Sequence, residues 1–465
     1  MISFSGKFQY LESTGQVIQS GSCRITVEKE TFLLTPEKGA PLAFDFGDID
    51  AFSPGDYQLS VKLYTGKSIL LSQFGKTFQN LSHDLLEAYR GRLIQCLLLE
   101  DLEEIKRFDG LARLESADGS FSSPAELRLY KSNLAVIPES ATGLQWRLAD
   151  IDVVELDQAA YTVTVLSGRD RLLISKLAKR TEDFRDSLQS AIQDISEKSA
   201  RTVHELLPFL NPDQFQKSAE LLKEGRAVAA SRLKAVHPQI VPALLENTVD
   251  AGLRPYFEFL RKKSGDDSFF TGFKLIWREE EAKEEGEAES VPVETDGGGQ
   301  QAAPAKAQPS SEAAGSEEEA KDREGDKVNE EPVLHWFFFP LKMAAAKGCP
   351  NMAAWECTSR SGRATYFFRL FPENLTGAQD PAKASPEIEN AIQRLNRAFL
   401  LLNFRREPIY LPDDTLEIQP RYRRYAVACR KIPVLKGLRR AFLGRAIHTS
   451  PEAWQNQVES ILAKQ

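Results

Sequence analysis

Apolar and polar positions alternate in short runs along the first seventy residues. CRITVEK (23–29), TFLLTP (31–36), PLAFDF (41–46) and YQLSVKLYTGKSILLS (57–72) are each bounded by turn residues. Period-two alternation between turns predicts antiparallel strands, and Thr65-Gly66-Lys67 predicts a hairpin tip. The period then changes. Leu81, Leu85, Tyr89 and Leu93 keep the spacing of one helix face, so a single amphipathic helix is expected to close the unit.

The same pattern then returns. Ile25 to Leu70 align without a gap onto Leu127 to Leu172, and after a one-residue shift the match continues to about Leu86 and Gln189. Paired identities include Lys29 with Lys131, Pro36 with Pro138, Asp48-Ile49-Asp50 with Asp150-Ile151-Asp152, and Gly66 with Gly168. The second copy has its own tip at Ser167-Gly168-Arg169 and its own helix face at Phe184, Leu188, Ile192 and Ile195. A period of about a hundred residues is too long for a solenoid and suits two complete small domains. Each copy is expected to place Phe44 or Trp146, Val61 or Val163, and Leu71 or Leu173 in a core of its own.

A compact antiparallel sheet of about a hundred residues finished by one C-terminal helix resembles the pleckstrin-homology-like superfold. The resemblance covers residues 1–195, as a first module over 1–108 and a second over 109–195. Members that bind phosphoinositides carry two basic residues flanking one position near the start of the second strand. The corresponding stretches here are Ser22-Cys23-Arg24 and Glu126-Leu127-Arg128, which both lack the first cation. Too little positive charge is left for an anionic headgroup, and phosphoinositide binding is not expected. Tandem members such as those of histone chaperones bind proteins, so the resemblance implies an interaction module.

Downstream, residues 196–265 read as a helical segment. Asn211-Pro212-Asp213-Gln214 is a start signal, and Gly252 and Gly265 stand where C-terminal caps belong. Residues 266–465 read as a C-terminal α+β domain. FFTGFKLIW, HWFFFPL, AAWECTS and GRATYFFRLF predict a four-stranded meander, and Ser385-Pro386 and Ser450-Pro451 predict helix starts. The whole chain is therefore expected to be α+β and multidomain.

Charge divides this last domain. Residues 278–332 carry eighteen Asp and Glu against six Lys and Arg, a net of −12, so the rest of the chain carries +4 of the overall −8. Without apolar periodicity, this acidic insert cannot bury enough surface to offset its ordering entropy and is expected to be disordered. Residues 391–450 carry thirteen basic against four acidic side chains, a net of +9, with arginine outnumbering lysine eleven to two. Arginine suits planar, bidentate contacts to phosphate or carboxylate. The candidate surface for an anionic partner is Arg394, Arg397, Arg405, Arg406, Arg421, Arg423, Arg424, Arg439 and Arg440, with Tyr410, Tyr422 and Tyr425 interleaved as stacking surfaces. The alternative is that these arginines pair with acids elsewhere in the fold.

Other motifs carry less chemistry. Gly75-Lys76-Thr77 imitates the end of a phosphate-binding loop, but Leu70 stands where GxxxxGK[ST] requires glycine, and Ala178-Lys179-Arg180 replaces it in the second copy. A shared helix start is the simpler reading. The Asp-Ile-Asp triplets occur in both copies without nearby histidine or further clustered acid, and read as a structural turn or strand edge rather than metal sites. The five histidines are scattered, and Cys349 and Cys357 lack a second thiol pair, so no metal and no cofactor is expected. With 465 residues, 42% hydrophobic, the chain suits about three domains on the usual scale of ~100–200 residues each. The five cysteines form no framework, the N-terminus has no signal-peptide pattern, and no stretch reaches the ~20 apolar residues of a membrane span. A cytoplasmic protein is expected. Three functions remain open: a non-catalytic scaffold or adaptor for a protein partner, a nucleic-acid-associated protein using the arginine-rich region, and an enzyme whose active site lies unrecognised in the C-terminal domain.

Overall fold

The computed structural model describes residues 3–100, 102–116, 119–139, 143–265, 268–275, 333–341, 352–357, 364–370 and 381–463. The first module is a seven-stranded antiparallel sheet: β1 (Ser3–Leu11), β2 (Val17–Val27), β3 (Thr31–Pro36), β4 (Leu42–Asp45), β5 (Ile49–Gly55), β6 (Gln58–Leu63) and β7 (Ser68–Ser72), in spatial order β4-β3-β2-β1-β7-β6-β5. Helix α1 (Phe78–Cys96) closes it and buries Leu81, Leu85, Tyr89 and Leu93. The second module repeats the order with β8 (Glu104–Ser116), β9 (Gly119–Tyr130), β10 (Asn133–Pro138), β11 (Leu144–Arg147), β12 (Val153–Asp157), β13 (Thr162–Ser167) and β14 (Asp170–Ser175), closed by α2 (Thr181–Leu206). The sheet therefore opens at Glu104, upstream of the expected boundary at 109, and α2 runs past 195. Gly75–Thr77 and Ala178–Arg180 are matching 3-10 turns that lead into the two helices, as a shared helix start requires.

The gap-free alignment across the two middle hairpins is corrected. The β5–β6 turn has two residues between the pair Gly55 and Gln58, whereas the β12–β13 turn has four between Asp157 and Thr162. At the next tip the second module is one residue shorter. Val61 therefore corresponds to Val165, and Leu71 to Ile174; all four are fully buried. Leu173 is only half-buried. A strand has a side-chain period of two, so a one-residue slip moves Leu173 to the opposite face from Leu71. Phe44 and Trp146 do occupy equivalent buried positions, opposite Phe32 and Leu134.

Each module has its own core, and the first extends onto the outer face of the second. Every residue of β10 is buried. Leu134 and Val136 face the second module's interior, while Ala135 and Ile137, on the opposite face, join the first module's core with Leu93, Ile94 and Leu97. Arg90 of α1 reaches Glu126 at 3.7 Å and Glu139 at 3.4 Å, and Gln145 Nε2 donates to the Leu97 carbonyl at 2.8 Å. On the equivalent strand β3, Leu33 is half-buried and Thr35 exposed.

A helical run follows: α3 (Pro212–Leu221), α4 (Ala230–Val236), α5 (Ile240–Thr248) and α6 (Arg254–Ser264). Asn211 and Gln214 form a reciprocal capping box at α3, and Gly265 ends α6 in the left-handed region at φ +88°. Gly252 caps nothing: α5 ends at Thr248, with Val249 as its cap. Among the described residues the third sheet has six strands, not four: β15 (Val228–Ala229), β16 (Phe270–Leu275), β17 (Val333–Leu341), β18 (Met352–Cys357), β19 (Ala364–Arg369) and β20 (Phe442–Ile447), in sequential order. The two added edges are a two-residue strand and a strand beginning where an arginine-rich helix ends, neither of which offers a long alternating run. The helices here are α7 (Pro381–Leu401), α8 (Glu407–Tyr410), α9 (Asp413–Ile418), α10 (Pro420–Lys431), α11 (Pro433–Ala441) and α12 (Pro451–Ala463). Helix α7 begins at Pro381 rather than at Ser385 and contains Pro386 near its start. The acidic insert 278–332, which links β16 to β17 in sequence, and Cys349 lie outside the described residues. No helix among the described residues is long and apolar enough to cross a membrane.

Candidate functional site

The arginine-rich region meets the first module at its Asp-Ile-Asp turn. Asp45 Oδ1 accepts from Gly47 N at 2.7 Å and fixes the 3-10 turn Phe46–Asp48. Gly47 lets α10 come close, because a Cβ there would lie 2.8 Å from Val427 Cγ2. The turn presents the Asp48 carboxylate to α10. Arg423 Nη2 donates to its two oxygens at 3.0 and 3.1 Å, and Arg430 Nη2 donates to Oδ1 at 2.7 Å. Glu417 of α9 bridges the same two guanidinium groups. Asp45 accepts from Arg92 Nε and Nη2, both at 3.2 Å, and lies 3.6 Å from Arg423. Lys431 Nζ donates to the Ile49 carbonyl at 2.5 Å, and burial holds its ammonium below the usual lysine range. Arg430 also stacks 4.4 Å above the ring of Tyr64.

These contacts account for much of the expected anionic-partner surface. Arg423 is engaged as above, and Arg424 pairs with Glu100. Arg439 holds Asp413 at 2.5 Å and the Leu411 carbonyl at 2.8 Å. Arg405 is buried, and Arg406 lies half-buried over Trp355. Arg394 and Arg397 on α7, Arg421 on α10 and Arg440 on α11 are exposed. Tyr425, read as a stacking surface, is 2% exposed and belongs to the core. Glu100, Glu417 and the turn carboxylates Asp45 and Asp48 were missed as acceptors; the Asp-Ile-Asp triplet was the visible signal, and only the fold shows what it faces.

In the second module the equivalent turn, Leu148–Asp150, makes a different contact. Arg147 occupies the place of Asp45 and is buried against Glu224, donating also to the carbonyls of Glu224 at 3.0 Å and Gly225 at 3.3 Å. Only glycine fits at 225: φ is +72°, and a Cβ would fall within 2.2 Å of the Arg147 guanidinium. Asp150, the counterpart of Asp48, lies 3.8 Å from Arg147 and has a side chain 48% exposed.

Two further groups bear on the other functions considered. Arg128, from the stretch compared with lipid-binding members, is engaged by Glu126 and by Glu104 at 3.2 Å. Within the third sheet, Thr365 Oγ1 donates to Glu356 Oε2 at 2.6 Å, lies 3.0 Å from His448 Nε2 and accepts from Trp454 Nε1 at 3.2 Å. Tyr256 stacks on His448 at 4.3 Å, so this polar triplet sits under two aromatic rings. Among the described residues, no group of three or more His, Cys, Asp or Glu is placed to share a metal ion.

No protein-family description matches the chain, and no curated protein matches its sequence. A solved structure titled "Structure of the Spt16D Pob3N heterodimer" is similar at 15% identity over 40% of this chain and 90% of that one, with a TM-score of 0.15.

Proposed function

We propose that the chain is a non-catalytic protein-interaction scaffold whose tandem modules bind polypeptide through their Asp-Ile-Asp turns. The observation that carries this reading is the contact between Asp48 and the arginines of α10. The first module already holds a helix of distant sequence by its turn, through charge-assisted hydrogen bonds and a close glycine approach. The second module offers the same turn, with Asp150 exposed. The nucleic-acid reading is weakened by the same contacts, since a phosphate would have to displace carboxylates from Arg423, Arg424, Arg430 and Arg439. The buried free thiols of Cys23 and Cys96 support a reducing, cytoplasmic setting as part of the proposal.

Affinity capture with the full chain under reducing conditions, with and without nuclease, followed by cross-linking and peptide mapping, tests the proposal. A protein partner retained after nuclease and cross-linked to residues 1–195 is expected. Recovery of nucleic acid alone, or a partner lost with nuclease, would replace the scaffold by the nucleic-acid reading.

A further inference from the structure

The Asp150 turn borders an open polar cavity of about 640 Å³. Its first wall is the second module's turn and hairpin tip, represented by Ala149, Asp150, Asp152 and Gly168; the opposite wall is formed by the 223–226 loop and by α7. These turn and tip positions correspond to those in the first module that hold α10, where Asp48 and Tyr64 receive Arg430. Asn396 of α7 adds an independent mark. It is 4% exposed and lines the cavity; its Nδ2 donates to the Gly225 carbonyl at 2.8 Å, while its buried Oδ1 has no hydrogen-bond partner. A buried acceptor without a donor is costly, and a ligand bearing N–H groups removes that cost.

We infer that this cavity is the docking site for an arginine-bearing helix of a protein partner, seated on Asp150 as α10 is seated on Asp48. The inference rests on the proposed protein-binding role and adds the surface and the chemistry of the partner. Guanidinium fits because its planar fork meets a carboxylate bidentately, as Arg423 meets both oxygens of Asp48. Apart from Arg147, which Glu224 engages, the walls carry four acidic and four basic side chains, so the field is near neutral. A partner helix of mixed charge is therefore selected, as α9 and α10 combine Glu417 with Arg423 and Arg430. Ala149 replaces Gly47 at the point of closest approach, so the partner residue facing it must be smaller than Val427.

The probe is a labelled synthetic peptide of residues 413–431 with Cys429→Ser, titrated into the full chain and followed by fluorescence anisotropy. Saturable binding is expected, strengthened by Val427→Ala in the peptide and weakened at least about tenfold by Asp150→Lys in the protein. Replacing Arg423 and Arg430 by Gln in the peptide should weaken binding comparably. Asp150 is exposed, so melting of the Asp150→Lys protein should match that of the parent and exclude misfolding. Absence of saturable binding, unchanged affinity with Asp150→Lys, or tighter binding with that variant would overturn the inference. So would displacement of the peptide by inorganic phosphate, which would make the cavity an anion site on its basic side. If captured partners survive Asp150→Lys, the docking site is wrong while the scaffold stands; if no protein is captured at all, the scaffold reading itself fails.

Discussion

Asp48 and Arg430 stand 382 residues apart in sequence and 2.7 Å apart in space. The pair is about a quarter exposed on each side and shares its charges with Arg423 and Glu417, so it is a partly buried network rather than an isolated surface pair. Isolated exposed pairs contribute about 0–1 kcal/mol, whereas leaving one member of a shielded network unpaired costs more. Asp48→Ala is predicted to destabilise the chain by about 1–3 kcal/mol. In a double-mutant cycle with Arg430→Ala by denaturant unfolding, a coupling of at least about 0.5 kcal/mol is expected. Strict additivity would show that the contact contributes no stability.

Gly47 tests the close approach separately from the charges. Gly47→Ala places a methyl group 2.8 Å from Val427 Cγ2 and is predicted to cost about 1–3 kcal/mol through overpacking. Val427→Ala in the same chain should recover part of that loss. A Gly47→Ala protein as stable as the parent would mean that α10 shifts away without penalty.

The packing of β10 against the first module gives a third prediction. Ile137 is fully buried on the face of β10 that the first module covers. Ile137→Ala is expected to cost about 2–5 kcal/mol and to destabilise both modules together, giving one unfolding transition at a lower midpoint. Two separated transitions, with only the second module affected, would show independent cores.

Acid should act through His335 on β17, whose imidazole burial pushes down to about 4. An unfolded histidine titrates near 6.5, so between about 6.5 and 4 the unfolded chain binds the extra proton. Stability contributed by the neutral imidazole is therefore present above about 6.5 and is lost as pH falls towards 4, by about 1–3 kcal/mol. His335→Gln should flatten the pH dependence of the unfolding midpoint in that window. An unchanged slope would place the acid sensitivity on other groups.

Much of the fold was legible because alternation and turn residues are local signals. The runs that became β2, β3, β4, β6 and β7, the closing helices and the α3 start signal follow from neighbours in sequence, while β1 and β5 were not read. The register between copies was not, because two extra residues in the β12–β13 turn and one fewer at the next tip nearly cancel. Sequence matching ran through both hairpins, and only the pairing of Val154 with Val165 exposes the slip. The packing of β10 on the first module had one readable trace: Ile137 stands where the first module has Thr35. The arginines were visible as a charge excess, but whether they face solvent or Asp48 and Glu417 depends on contacts that composition does not encode.

The 382 residues between Asp48 and Arg430 also set an order of events on the ribosome. At roughly 5–20 residues per second, Asp48 is added roughly 20–80 s before Arg430. Until α10 is made, Asp48 and the Gly47 notch lack the helix that covers them in the finished chain, while Asp45 keeps its contact with Arg92 of the first module. The first turn is thus uncovered during synthesis and occupied once α10 has folded onto it. A partner that recognises the first turn meets it open during translation and filled after release.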